Sequence, residues 1–130
     1  IIITITPARS PVIKGEWVRP GTHFSCIGAD MEGKNEIDGD ILQKAKIFVD
    51  DKKQCMKVGE IELALQKGKI KESDICGEIG ELLKGEKTGR TSDKEITVLD
   101  ATGLDLLDLA TAQFVITRAK EQEMGANVTV

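Results

Sequence analysis

Apolar residues gather in short unbroken runs, separated by stretches in which they recur every three or four positions. Ile1 to Thr6, Phe24 to Gly28, Lys46 to Asp50 and Glu95 to Asp100 are the runs, and each predicts a strand. Pro7 and Pro11 close the first of them, and Pro20-Gly21 turns the chain before the second. Unbroken rather than alternating apolar strands are the mark of a parallel sheet covered on both faces. Between the runs, Asp38 to Ala45 predicts a short helix with Ile41, Leu42 and Ala45 on one side. Lys57 to Lys67 predicts a second, with Val58, Ile61 and Leu65 in helical spacing and Gly68 as its stop. Gly77 to Lys84 predicts a third, with Ser73 or Asp74 as a cap, and Thr88 to Asp93 is polar enough for a surface loop.

Leu104 to Met124 predicts the longest helix, stopped by Gly125. Its first half is apolar most of the way round, so it is expected to be buried on several sides, in this chain or in a dimer. Asn127 to Val130 is a candidate last strand. The alternation of strands and helices predicts an α/β fold with a mainly parallel sheet. The chain opens inside the apolar run Ile1-Ile2-Ile3, with no Met, basic segment or cleavage site before it. That reads as a strand entered midway, and further sequence upstream is expected.

Composition narrows the partners. Over 130 residues, 18 Lys and Arg against 22 Asp and Glu leave a net charge of -4, so no cationic face for nucleic acid or an anionic membrane is expected. No apolar run approaches the ~20 residues of a membrane-spanning helix. Aromatics are 3%, too few for base-stacking platforms. Cys26, Cys55 and Cys76 have no CxxC spacing and share the chain with a single His23, which is too few ligands for a zinc site. No metal is expected, and three reduced thiols suit a cytoplasmic protein.

In parallel sheets, ligands bind beyond the carboxyl ends of the strands. Thr6 and Pro7 follow the first strand, where a hydroxyl and a proline ring can line a cofactor edge or simply make a turn. Gly28, Ala29 and Asp30 follow the second. Small residues allow close backbone approach, and a carboxylate there can move a proton or serve only as a solvated turn. Lys34 can pair with Asp30 or with an anionic ligand group. Ala101, Thr102 and Gly103 follow the fourth strand, where backbone N–H groups could hold an anionic or amide group, while Asp100 or Thr102 could cap the helix. His23 precedes its strand, at the end opposite the expected site, and reads as structural. The chain has no GxGxxG and no GxxxxGK[ST], so a site without a phosphate-binding loop is expected.

One ordered set of segments spans almost the whole chain: Thr6 to Val12, Gly21-Thr22-His23, Ile27 to Asp30, Gly33 to Asp38, Gly59-Glu60-Ile61 and Asp100 to Gly103. Together they resemble the ornithine cyclodeaminase/mu-crystallin family, which includes archaeal-type alanine dehydrogenase and ketimine reductases. The resemblance implies that residues 1–103 are the second half of a Rossmann-type NAD(P)-binding domain. Residues 104–130 would return as helix and strand to a substrate and dimerisation domain. It implies NAD or NADP as cofactor, an amino-acid substrate and a homodimer. Asp30 would be the catalytic acid/base, and Lys34 would lie near cofactor or substrate. Thr6, Pro7, Gly28 and Ala29 would line the cofactor cleft, and Ala101 to Gly103 would meet the nicotinamide carboxamide. The activity implied is a lyase closing ornithine to proline or an oxidoreductase deaminating an amino acid, both through an imine. The alternative is an NADPH- or small-ligand-binding protein like mu-crystallin, or a ketimine reductase. Two departures bear on this: Ala101 stands where the family commonly has Ser, and Met31-Glu32 where Gly-Pro or Cys-Pro is frequent. Ala29 resembles the dehydrogenase and cyclodeaminase-like branch more than the cyclodeaminase proper.

Overall fold

The computed structural model describes residues 1–126 and 128. Of the candidate strand at 127–130, all but Val128 lies outside the described residues. Five strands form one sheet: β1 (Ile2–Thr4), β3 (His23–Cys26), β5 (Ala45–Val49), β6 (Ile75–Glu78) and β7 (Ile96–Asp100). Their order is β1-β3-β7-β5-β6, and every pair is parallel. The four apolar runs occupy β1, β3, β5 and β7, as their unbroken pattern predicts. A separate parallel pair, β2 (Arg9–Ile13) with β4 (Asn35–Ile37), lies outside that sheet. Neither is legible from periodicity, because β2 carries a proline and β4 is two-thirds polar.

One sheet face makes the core. Phe24, Cys26, Ile47, Val49 and Val98 point from the strands toward Ile41, Leu42, Cys55, Ile61 and Ala64, and all are buried. The helices that carry these partners are α1 (Gly39–Leu42), α2 (Lys52–Val58) and α3 (Glu62–Gln66). Asp38 caps α1 by accepting from the Asp40 N–H, and Asp51 caps α2 by accepting from the Gln54 N–H.

The continuous helix expected over Lys57 to Lys67 is instead broken between α2 and α3. The cause is Glu60, fully buried with its carboxylate turned to the backbone of β4. Gly59 permits the bend, since a Cβ there would collide with the Asp100 carboxylate and the Cys55 backbone. The helix expected from Gly77 is shorter, α4 (Ile79–Leu83), because Ile75 to Glu78 pair with β5 as the edge strand β6. A Gly and only two apolar residues gave that edge strand little sequence signal.

The last helix, α5 (Asp105–Glu121), is exposed along almost its whole length within the chain, including Leu106, Leu109, Phe114 and Ile116. The burial expected of it is not supplied by the described residues of one chain. All three cysteines are free thiols. Among the described residues no helix is long and apolar enough to cross a membrane, and no cluster of side chains suits a metal ion.

Candidate functional site

β1, β3 and β7 are neighbours and run in one direction, so their carboxyl ends deliver three loops to one edge. The ladder continues past the strands: Ile27 N–H donates to Thr4 O at 2.8 Å and Ala101 N–H to Cys26 O at 2.9 Å. Thr6 and Pro7, then Gly28 to Lys34, then Ala101 to Gly103 leave side by side. His23 sits at the other end of β3, with Nδ1 2.8 Å from Thr97 Oγ1. Partial burial and the nearby Arg90 hold its ring below the usual value, which keeps it neutral.

In the middle loop, Lys34 folds back across the turn. Its Nζ donates to Asp30 Oδ1 at 2.5 Å and to Gly28 O at 3.3 Å. The ammonium is mostly covered, whereas the Asp30 side chain keeps 52% of its surface open. Its hydrogen bond and charge hold the Asp30 carboxyl below the ordinary carboxylate range. The result is an ionised, accessible carboxylate on a tethered loop, which can accept a proton from a group placed against it.

Four buried acids fix this edge by accepting backbone N–H groups. Glu36 takes Thr6 N–H at 2.6 Å on one oxygen and Gly28 N–H at 3.1 Å on the other. Glu60 takes Glu36 N–H, Ile37 N–H and the Asn35 side-chain amide, all at 2.6–3.0 Å. Glu62 takes Gly33 N–H at 2.9 Å. Asp50 takes Thr102 N–H at 2.8 Å and Gly103 N–H at 2.9 Å. Arg9 adds a tie between the first two loops through Glu32 O.

Two expectations change here. The N–H groups of 101–103 point inward, to Asp50 and to Cys26 O, and so are not free to hold an anionic group. Neither Asp100 nor Thr102 caps α5, whose N-cap is Leu104 without a side-chain bond. Asp100 instead turns into the core. One oxygen accepts Ile61 N–H at 3.1 Å, and the other has no partner. Burial pushes its carboxyl up to about 7 and that of Glu60 up to about 8.

Sequence reasoning singled out Asp30, Lys34 and the loop residues, but gave no role to Asp50, Glu36, Glu60 or Glu62. The sequence holds only a weak signal: Asp50 ends an apolar run and Glu60 and Glu62 flank Ile61, but an acid shows no sign of burial until its donors are placed. Gly28 is fixed by the same packing. A Cβ there would lie 2.5 Å from Thr6 N and 2.6 Å from Glu36 Oε1. Gly28→Ala should therefore cost about 1–3 kcal/mol and displace the Asp30 loop; thermal melting and turnover of the whole protein check both effects.

A parallel sheet with its candidate site at the carboxyl edge, and helices across one face, defines an α/β protein of the Rossmann type. The chain belongs to the ornithine cyclodeaminase/mu-crystallin family, whose model matches residues 1–123. It is 48% identical over 128 residues to an alanine dehydrogenase of Archaeoglobus fulgidus, a match covering 98% of this chain and 40% of that protein. Among solved structures, an archaeal alanine dehydrogenase dimer with bound NAD matches with a TM-score of 0.88 and 47% identity, over 98% of this chain and 40% of that one. A Δ1-pyrroline-2-carboxylate reductase of Thermococcus litoralis, in complex with NADH and L-proline, matches with a TM-score of 0.89 and 36% identity over the same shares. The chain thus spans about 40% of the length of these relatives.

Proposed function

We propose that the protein containing this chain is an NAD(P)-dependent enzyme that acts on an L-amino acid through its imine. The observation that carries the reading is the Asp30–Lys34 pair at the end of β3, set between the loops that leave β1 and β7. Relatives that oxidise an amino acid, or reduce a cyclic imine with NADH and L-proline bound, support it.

The residues present fit the nicotinamide end of such a cofactor. At Gly103, with φ +90°, the position a Cβ would take has no heavy atom within 4 Å, which leaves room for a flat ring beside the backbone. Thr6 and Pro7 would line the neighbouring edge, Gly28 and Ala29 the floor, and Ala101 and Thr102 the carboxamide side. NAD(P), when bound, supplies the acceptor and donor of hydride for the substrate's Cα. Asp30 takes a proton from the substrate ammonium or from the water that adds to the imine, and returns it to the leaving nitrogen. Lys34 keeps Asp30 ionised for that first transfer and holds it on the loop. In the cyclising reaction the side-chain amine attacks the imine, ammonia leaves, and hydride returns to give proline. In the deaminating one, water attacks and an oxo acid leaves. A homodimer, with α5 covered by the rest of the assembly, belongs to the same proposal.

The test uses the full-length protein with L-ornithine and catalytic NAD⁺, following proline, ammonia and NADH together. Proline without NADH accumulation identifies the cyclising reaction. Stoichiometric NADH with L-alanine, and no proline, identifies the dehydrogenase, the outcome favoured by Ala29 and by the alanine dehydrogenase relative. Cofactor binding with no turnover of amino acids or cyclic imines overturns the enzymatic reading.

A further inference from the structure

We propose that Glu36 is a positioning residue for proton transfer, its carboxylate clipping the Asp30 loop to the Thr6 loop and so setting Asp30 against the cofactor edge. The proposal rests on Asp30 being the proton carrier.

Glu36 does not reach the open cleft. It is fully buried in β4, and both its oxygens are used on backbone, Thr6 N–H at 2.6 Å and Gly28 N–H at 3.1 Å. Those two amides belong to different loops, one after β1 and one after β3. Asp30 lies two residues beyond Gly28, and Lys34, which holds Asp30, also donates to Gly28 O at 3.3 Å. Gly28 is therefore gripped on its N–H by Glu36 and on its carbonyl by the ion pair.

Glu36 is itself held. Both Glu60 oxygens accept its N–H, at 3.0 and 2.9 Å, and the Asn35 amide and Ile37 N–H are drawn to the same carboxylate. The route from the α2–α3 break to Asp30 is thus short and wholly hydrogen-bonded. A rigid clip matters because a misplacement of about 1 Å at a reacting group can cost about 10²-fold in rate. Without it, the side-chain ties left to the loop would be those of Lys34, Arg9 and Glu62.

Glu36→Gln keeps the volume of the side chain but turns one acceptor into a donor that faces a donor. The experiment is a cycle in the full-length protein: wild type, Glu36→Gln, Asp30→Asn and the double variant. Turnover, its pH profile and NADH affinity by nucleotide fluorescence are measured on each. The expected result is a fall in kcat of tenfold or more when Asp30 is present, and less than twofold in the Asp30→Asn background. NADH affinity, which senses the Thr6 arm of the clip, should change by the same factor in both backgrounds. The acidic limb of the pH profile should move toward the ordinary carboxylate range, as Lys34 loses its fixed place beside Asp30. Equal losses of kcat in both backgrounds with an unmoved acidic limb overturn the proposal and leave Glu36 a purely structural residue. Full turnover in Asp30→Asn overturns the reading of Asp30 itself. If Glu36→Gln does not fold, Glu36→Asp, which keeps the charge and shortens the clip by one methylene, takes its place in the cycle under the same criteria.

Discussion

Asp30→Asn in the full-length protein is expected to lower turnover by about 10²-fold or more, the usual contribution of a positioned acid–base group. The exchange is nearly isosteric. The carbonyl of the substituted side chain can still accept from Lys34, so the loop keeps its tether, while the amide cannot take a proton at any working pH. Binding should survive better than turnover, and the loss should fall mainly on kcat. The pH profile gives the second half of this test. Because Lys34 holds the Asp30 carboxyl below the ordinary carboxylate range, the acidic limb of the wild-type profile should lie below that range as well. Lys34→Met removes the ammonium and should carry that limb upward. Unchanged turnover in Asp30→Asn, or a limb indifferent to Lys34, would remove Asp30 from the mechanism.

The second large effect is on stability. Glu60→Leu leaves the buried N–H groups of Glu36 and Ile37 without an acceptor, and takes one of two acceptors from the Asn35 amide. Each stranded donor costs about 1–3 kcal/mol, so a loss of about 3–5 kcal/mol is expected, a large share of a typical domain's ~5–15. Denaturant unfolding of the full-length protein measures it, and a loss below about 1 kcal/mol would show that the network is dispensable.

The same carboxyls carry a pH dependence whose sign is fixed. Asp100 and Glu60 are raised from ordinary values near 4 to about 7 and about 8 on folding, chiefly by burial. Across that window the folded chain keeps protons that the unfolded chain has released. Their contribution to stability is therefore fully present at the acidic end and is lost as pH rises through about 8. Glu60→Gln removes one of the two titrating groups and should flatten that decline. A steeper decline in the variant, or stability that rises from about pH 5 to about 8 in the wild type, would contradict this linkage.

The four apolar runs, and through them the parallel sheet, could be read from the sequence because parallel strands favour consecutive apolar residues, although the second face stays open at Ile3 and Ile5 within the described residues. So could the segments at the strand ends, since topology alone sends loops to one edge. A spacing of four residues lets Lys34 reach Asp30 but equally allows it to meet an anionic ligand, and the fold shows the pair. What escaped were features set by tertiary contacts. The helix break at Gly59 follows from where the Glu60 carboxylate finds its donors, and β2, β4 and β6 exist through pairing rather than pattern. Asp100 looks like a helix cap beside its own sequence neighbours. Only the fold reveals that Ile61, 39 positions earlier, supplies its donor.

The inward turn of the amides at 101–103 has a consequence for what the cleft can welcome. With those hydrogens spent on Asp50 and on Cys26, and with Gly103 O taking the Gln54 amide, this wall has no spare backbone N–H for a visitor. Such a lining is matched by a guest that brings its own hydrogens, a carboxamide NH₂ or a substrate ammonium. It gives a phosphate no amide to hold. The chemistry of recognition on this side is therefore the reverse of that at a glycine-rich nucleotide turn, where free amides face the ligand.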